Sequence, residues 1–464
     1  MPVDTTPSAL PSTPTGLAHT LMSRHVAMIS FGGIIGAGLF VGASGAIHTG
    51  GPGVFLVYGV CGALVFLIMR MLGEMAVANP GKGSFAEYAA LALGPWAGFT
   101  TRWLYWYFWV FTVGAETVAG AKLLHEIGLP GPVWGIGLAL VALMTSTNLL
   151  SVRAYGELEF WFSLLKVTAI GVFIAIGVAF IAVFAPGPHH ALTTFAGHGG
   201  VFPTGLVGLT AAVPVVIFSM MGSEVATIAA AESADPAANV AKAARTVALR
   251  ILVFYVAAML VITAIIPWDS IVVGLSPFKA VLDVIGIPGS SVVMSVIIIT
   301  AVLSCLNSGL YITSRMLFEL ARNGDAPRVL GTVAGNRVPV FGTLIGCVAG
   351  AAAALAQIFL RDDVFTLLAS TSGDIILFIY LIIALAQIRE RRRMEASGLQ
   401  LALKMWLFPG LSYGVIGGIL AVLALLAFIP DQRITLGLSA LTVAAVFGAL
   451  ALRQGMARAR SGAV

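Results

Sequence analysis

About twelve apolar stretches, each near 20 residues or longer, follow one another along this 464-residue sequence, parted by short polar or Gly/Pro breaks. They fall near residues 26–47, 54–79, 98–126, 132–150, 157–184, 203–232, 246–267, 290–320, 338–358, 363–388, 405–428 and 434–452. A hydrocarbon core of roughly 30 Å needs about 20 apolar residues in a helix. Within lipid the backbone must satisfy its own hydrogen bonds, so spans are helical. The stretches therefore predict an all-α membrane protein of twelve transmembrane helices. Composition agrees, because only 10% of residues are charged where a soluble domain carries about 25%.

Residues 1–22, rich in Pro, Ser and Thr, show no basic cluster ahead of an apolar run and read as a disordered cytoplasmic tail rather than a signal. The basic residues set the orientation. With the N-terminus inside, Arg24, Lys82, Arg153, Lys242, Arg250, Arg322, the cluster Arg389–Arg393 and Lys404 face the cytoplasm, while Lys122, Lys279, Arg361 and Arg433 face out. That bias predicts both termini cytoplasmic and a bacterial inner (plasma) membrane location. The net charge of +5 then belongs to inner loops and not to a nucleic-acid surface. Cys61, Cys305 and Cys347 lie inside apolar runs, so neither disulfides nor a metal site is expected. The histidines of segment 185–202 read as solvated loop residues.

Two spans are interrupted. The first contains Gly-Gly-Ile-Ile-Gly-Ala-Gly-Leu-Phe from Gly32 to Phe40, and four glycines in seven residues are too dense for helix packing alone. The sixth contains Phe-Ser-Met-Met-Gly-Ser-Glu from Phe218 to Glu224, just after Pro214. Paired interruptions point to a transporter's binding site near the membrane midplane. Half-helix ends present N–H groups suited to a carboxylate and carbonyls suited to an ammonium, the two poles of a zwitterionic amino acid.

These residues resemble those of the amino acid permeases of the amino acid–polyamine–organocation superfamily. The likeness runs through MISFGGIIGAGLFVG (28–42), MRMLGEMAVANPGKGSFAEYA (69–89), NLLSVRAYGELEFWFSLLKV (148–167), FSMMGSEVATIAAAES (218–233) and SCLNSGLYITSRMLFELARNGDAP (304–327). TIAAAES, RWLYWYFWV, YGELEFW and KMWLFPGLS are most similar to the γ-aminobutyrate (GABA) permeases. The resemblance implies a 5+5 inverted repeat with broken helices 1 and 6, plus two appended helices. Residues 23–453 would form the transmembrane domain, with repeat one at about 23–184, repeat two at about 203–388, appended helices at about 404–453, and a cytoplasmic tail at 454–464. It also implies a substrate carboxylate on the N–H groups of Gly36, Ala37 and Gly38. The amine would lie near the carbonyl of Ile34 and the unwound carbonyls of Ser219, Met220 and Met221, beside Gly222. Family members often carry a hydroxyl residue where this chain has Ala37, which widens the pocket or shifts the load to backbone donors.

Ionisable residues deep in a span are functional by default. Lys166 sits about nine residues into the fifth span, roughly 13 Å deep. In the resembled family the matching lysine contacts the broken first helix and replaces a sodium ion. Lys166 is thus the expected proton-coupling residue, the alternative being a structural ammonium bridging carbonyls. Glu116, in the third span, is a candidate for substrate binding or proton handling, or a carboxyl bonded between helices. Glu224 either caps the helix after the second break or joins the coupling. Ser304, Asn307 and Ser308 share one helix face, suited to substrate contact or to helix–helix bonding. Arg70, Glu74, Glu87, Glu157 and Glu159 read as an inner gate of ion pairs. The aromatic run Trp103–Trp109 is expected to pack against lipid and helices with no substrate role.

The resulting expectation is a proton-coupled importer of an amino acid, GABA foremost, with the proton as coupling ion and no cofactor. The alternative is a permease or exchanger for another amino acid (aromatic, basic or small neutral) on the same fold. No nucleophile–base pair, metal-ligand cluster or phosphate loop points to an enzyme. The expected partners are the small-molecule substrate and the bilayer.

Overall fold

The computed structural model describes residues 35–79, 84–150, 152–184, 191–222, 224, 236–333, 338–360, 363–398 and 401–461. Among them the regular structure is entirely helical. In chain order the α-helices are α1 (Ala37–Phe40), α2 (Gly42–Gly50), α3 (Val54–Ala78), α4 (Phe85–Leu93), α5 (Pro95–Glu126), α6 (Val133–Leu150), α7 (Val152–Phe184) and α8 (Ala191–Gly197). They continue with α9 (Gly205–Ser219), α10 (Pro236–Arg250), α11 (Ala257–Ile265), α12 (Pro277–Ile285), α13 (Ser290–Arg322), α14 (Val340–Leu360), α15 (Asp363–Ala396), α16 (Gly410–Phe428) and α17 (Arg433–Ser461). A π-helical turn, Ile251–Val256, makes α10 and α11 one continuous rod.

Eight of these segments are long and apolar enough to cross a membrane: α3, α7, the α10–α11 rod and α13 to α17. The helices α6 and α9 are apolar but shorter. The 32-residue α5 is long enough, yet carries Arg102, Glu116 and Lys122. Local chemistry accounts for several ends. Ser84 opens α4 by accepting from the Glu87 N–H at 3.3 Å, a serine cap with glutamate at the third helical position. Pro95 starts α5 after Gly94, whose φ of 107° only glycine adopts freely.

The core is arranged around α5, which packs on α13, α14 and α15, and around α9, which packs on α2, α3 and α15. Small residues permit this. A Cβ at Gly373 of α15 would lie 1.9 Å from the carbonyl oxygen of Pro214 in α9, so the two backbones touch there. At one end of the bundle, Asp325 pairs with Arg102 at 3.1 Å and with Arg453, tying α5 and the last helix to the turn after α13.

The first span begins, within the described residues, as extended backbone at Ile35 and Gly36, and α1 starts at Ala37. The sixth span stops being helical after Ser219 and turns through Met220 to Gly222, whose φ of 91° is left-handed. At both expected interruptions the described residues show helix on one side only, because residues 1–34 and 225–235 lie outside them.

Replacing Gly373 by alanine is expected to force α9 and α15 apart and lower thermal stability by about 1–3 kcal/mol, the usual cost of overpacking. Melting of the purified protein measures this, and an unchanged melting temperature would contradict the contact.

Candidate substrate site

The start of α1 and the end of α9 meet. A Cβ on Gly38 would stand 2.9 Å from the Ser219 Cα and 3.2 Å from the Phe218 ring, so only glycine lets α1 lie against the end of α9. Gly36 is equally confined, since a Cβ there would fall 2.4 Å from Glu116 Oε1 and 2.7 Å from Cys305 Cβ. Beside this junction lies a small cavity of about 10 Å³, the space of about one water molecule. Gly38, Thr112, Glu116, Ser219, Met221 and Cys305 line it, walled by Phe108, Trp109 and Phe218.

Both poles of the junction are already answered by protein groups. The carboxylate of Glu116, 1% exposed, accepts the Ala37 N–H through both oxygens at 3.0 Å. This N–H belongs to the first turn of α1, where the half-helix end favours an anion. On the other side, the Tyr255 hydroxyl donates to the Ser219 carbonyl at 2.8 Å. The Gly222 N–H is taken by Glu224 Oε2 at 3.0 Å, and the other oxygen of Glu224 accepts from the Tyr105 hydroxyl at 2.5 Å. Glu224 therefore ties the turn after α9 to α5 and does not face the cavity.

A second cluster abuts the first through α13. Lys166 of α7, fully buried, donates to Ser304 Oγ at 2.8 Å, and Ser304 in turn donates to Glu159 at 2.7 Å. The direct Lys166–Glu159 separation is 3.7 Å. The charges are thus paired through a hydroxyl, as a buried pair requires. Ser304 and Cys305 are neighbours, so one residue of α13 sits in the ion cluster and the next in the cavity wall.

Several sequence expectations are redirected here. Ser304 turns to Lys166 and Glu159, away from the cavity. Asn307 accepts from Asn148 at 2.6 Å and from Thr147 at 3.2 Å, binding α13 to α6. Met220 is buried outside the cavity lining. Glu159 is paired with Lys166 through Ser304. Glu74 forms an ion pair: it accepts from Arg391 and Gln387 at 3.0 Å each and from the Met405 N–H. Arg70, among the described residues, makes no close ion pair with a carboxylate: it donates to the Lys404 carbonyl at 2.6 Å and stacks on Trp406. Ile34 and the side chain of Glu157 lie outside the described residues. The aromatic run expected to have no substrate role supplies Phe108 and Trp109 to the cavity wall. Their spacing to Thr112 and Glu116, one and two helical turns on, was the available signal.

A larger cavity, about 70 Å³, lies one helical turn along from the first. Val41 and Gly42 line it from the start of α2 and Val215 from α9, roughly 6 Å up each axis from Gly38 and Ser219. Over it the Gly274 N–H donates to Ser44 Oγ at 3.0 Å.

The amino acid permease family model matches residues 25–452. The chain belongs to that family. Curated relatives of this permease include the gamma-aminobutyric acid permease of Bacillus subtilis, 46% identical with 90% of each chain covered. The gamma-aminobutyric acid permease of Escherichia coli is 42% identical, with 91% of each covered. A probable GABA permease of Pseudomonas aeruginosa is 42% identical over 90% of this chain and 88% of its own. With its long apolar helices, the permease is a multi-pass membrane protein that transports an amino acid, and its relatives are transporters, not enzymes.

Gly38→Leu is expected to abolish substrate binding by driving α1 off α9 while the protein still inserts in the membrane. Scintillation-proximity binding tests this, and retained affinity would place the site elsewhere.

Proposed function

We propose that this permease imports GABA across the bacterial inner membrane by proton-coupled alternating access. The observation that carries the reading is the Glu116 carboxylate on the Ala37 N–H. An internal carboxylate holds the position that a substrate carboxylate would need, so the two must exchange. Two carboxylates cannot share one N–H at close range without strong repulsion, and Glu116 leaves most readily once it carries a proton. Substrate and proton then enter together and leave together, which is symport.

In this scheme the substrate amine takes the Ser219 carbonyl from the Tyr255 hydroxyl. GABA places three methylenes between its poles, and Phe108, Trp109 and Phe218 offer the apolar wall such a chain needs. Ala37, where relatives often carry a hydroxyl, leaves room for that longer span. Three relatives at 42–46% identity are named as GABA permeases, one of them as probable, which supports the same substrate. The cavity of about 10 Å³ is too small for any amino acid, so binding requires the helices around the breaks to separate.

The Lys166–Ser304–Glu159 chain is the second coupling element. It crosses from α7 to α13 directly behind the cavity, and each link donates toward Glu159. Twelve spans in a 5+5 inverted repeat with two appended helices and both termini cytoplasmic complete the proposed architecture. The 70 Å³ cavity then opens from the outer side.

Proteoliposomes with an imposed proton gradient test the function. Labelled GABA should accumulate in wild type and be abolished by a proton ionophore. Lys166→Ala should lose accumulation but keep exchange of internal for external GABA. Uptake that ignores the ionophore and requires internal substrate would establish an exchanger instead.

A further inference from the structure

Asp374 lies eleven residues into α15, roughly 16 Å from its start and so near the middle of a hydrocarbon core about 30 Å thick. It is fully buried, and neither carboxyl oxygen has a hydrogen-bond partner among the described residues. Among the described residues, no charged group on the helices packed against α15 interacts with it. The polar side chains that do are the hydroxyls of Thr435 and Ser439 on α17.

Ser439 Oγ donates to the carbonyls of Thr435 at 2.9 Å and Thr371 at 3.1 Å. Thr435 Oγ1 donates to the Gln432 carbonyl at 3.0 Å. A hydroxyl has one proton to give. Each hydroxyl thus has a backbone carbonyl at hand for its proton, and neither is committed to Asp374. A carboxylate there would be buried with no cation and no committed donor, which is costly, whereas a carboxylic acid carries no charge and can give its O–H to either hydroxyl. A hard metal cation would want six or more oxygens, where two hydroxyls and one carboxyl are present.

We propose that Asp374, with Thr435 and Ser439, forms a proton-binding site separate from the substrate junction and from Lys166. Ser370, one turn before Asp374 on the same face of α15, lines the 70 Å³ cavity, as does Gln432. The proton enters from there, a single helical turn away. Its release leaves a bare carboxylate next to Gly373, where α15 touches Pro214 of α9 five residues before the sixth-span break. The occupied site therefore holds α17, α15 and α9 in the arrangement seen here, and the vacant one loosens it. The last helix is then part of the protonation machinery and not only an appendage.

Infrared difference spectra of the full chain in lipid nanodiscs, taken through a pH jump, test the site. Wild type should show the C=O stretch of a buried protonated carboxyl, absent in Asp374→Asn and shifted in Ser439→Ala, which removes one acceptor while keeping the acid. Wild type should also lose thermal stability as pH rises, and Asp374→Asn, which mimics the neutral acid, should lose less. An identical band in Asp374→Asn overturns the proposal. So does a melting temperature that rises with sodium chloride over choline chloride in wild type and not in Asp374→Asn, which would assign the site to sodium.

Discussion

The hydrogen bond from the Ala37 N–H to the Glu116 carboxylate joins the two parts of the molecule that matter most, the broken first span and the central helix α5. A half-helix that begins inside a membrane protein leaves donors with no intrahelical partner, and these cannot be left bare in an apolar interior. Something anionic must meet them. In this structure that group is Glu116, and the small residues at 36 and 38 exist to let it approach. Gly36 leaves space for the carboxylate itself, and Gly38 leaves space for the end of α9.

Seen this way, the junction is a set of internal stand-ins. Glu116 answers the donor pole, Tyr255 the acceptor pole, and Glu224 the amide of Gly222. Each keeps a polar backbone group satisfied from within the protein. Each must also yield for a ligand to bind, so affinity depends on the difference between the two sets of contacts and not on substrate contacts alone. The proposed coupling follows from the stand-in at the Ala37 N–H, a carboxylate that changes its charge by taking up a proton. The Lys166 cluster contributes through α13, where Ser304 and Cys305 face opposite tasks on consecutive positions.

Much of this was legible before any coordinates. Hydropathy marks the long helices, and the glycine strings mark the breaks at Gly36 and Met220, because few residues other than glycine permit backbone contact or a left-handed turn. Lys166 and Glu116 stand out because charge inside a span is rare. Pairing was not legible. Glu159 reads as a partner of the helix-end charges because it lies near Glu157, yet Lys166 is seven residues, about two turns, along the same helix, and both meet Ser304 of α13. Ser304 and Asn307 share a face in one helix, but α7 and α6 take one each, and no spacing rule says which neighbour a face meets. Phe108 and Trp109 were hidden inside an aromatic run whose other members pack elsewhere. Asp374 was overlooked because its neighbours arrive from α17, more than sixty residues later.

The claim on which the transport scheme stands is the exchange of carboxylates at Ala37, and a structure of the permease with GABA bound tests it most directly. The account predicts the substrate carboxylate within hydrogen-bond distance of the Ala37 N–H and the Glu116 side chain displaced from it. GABA bound with Glu116 still on Ala37 would contradict the scheme.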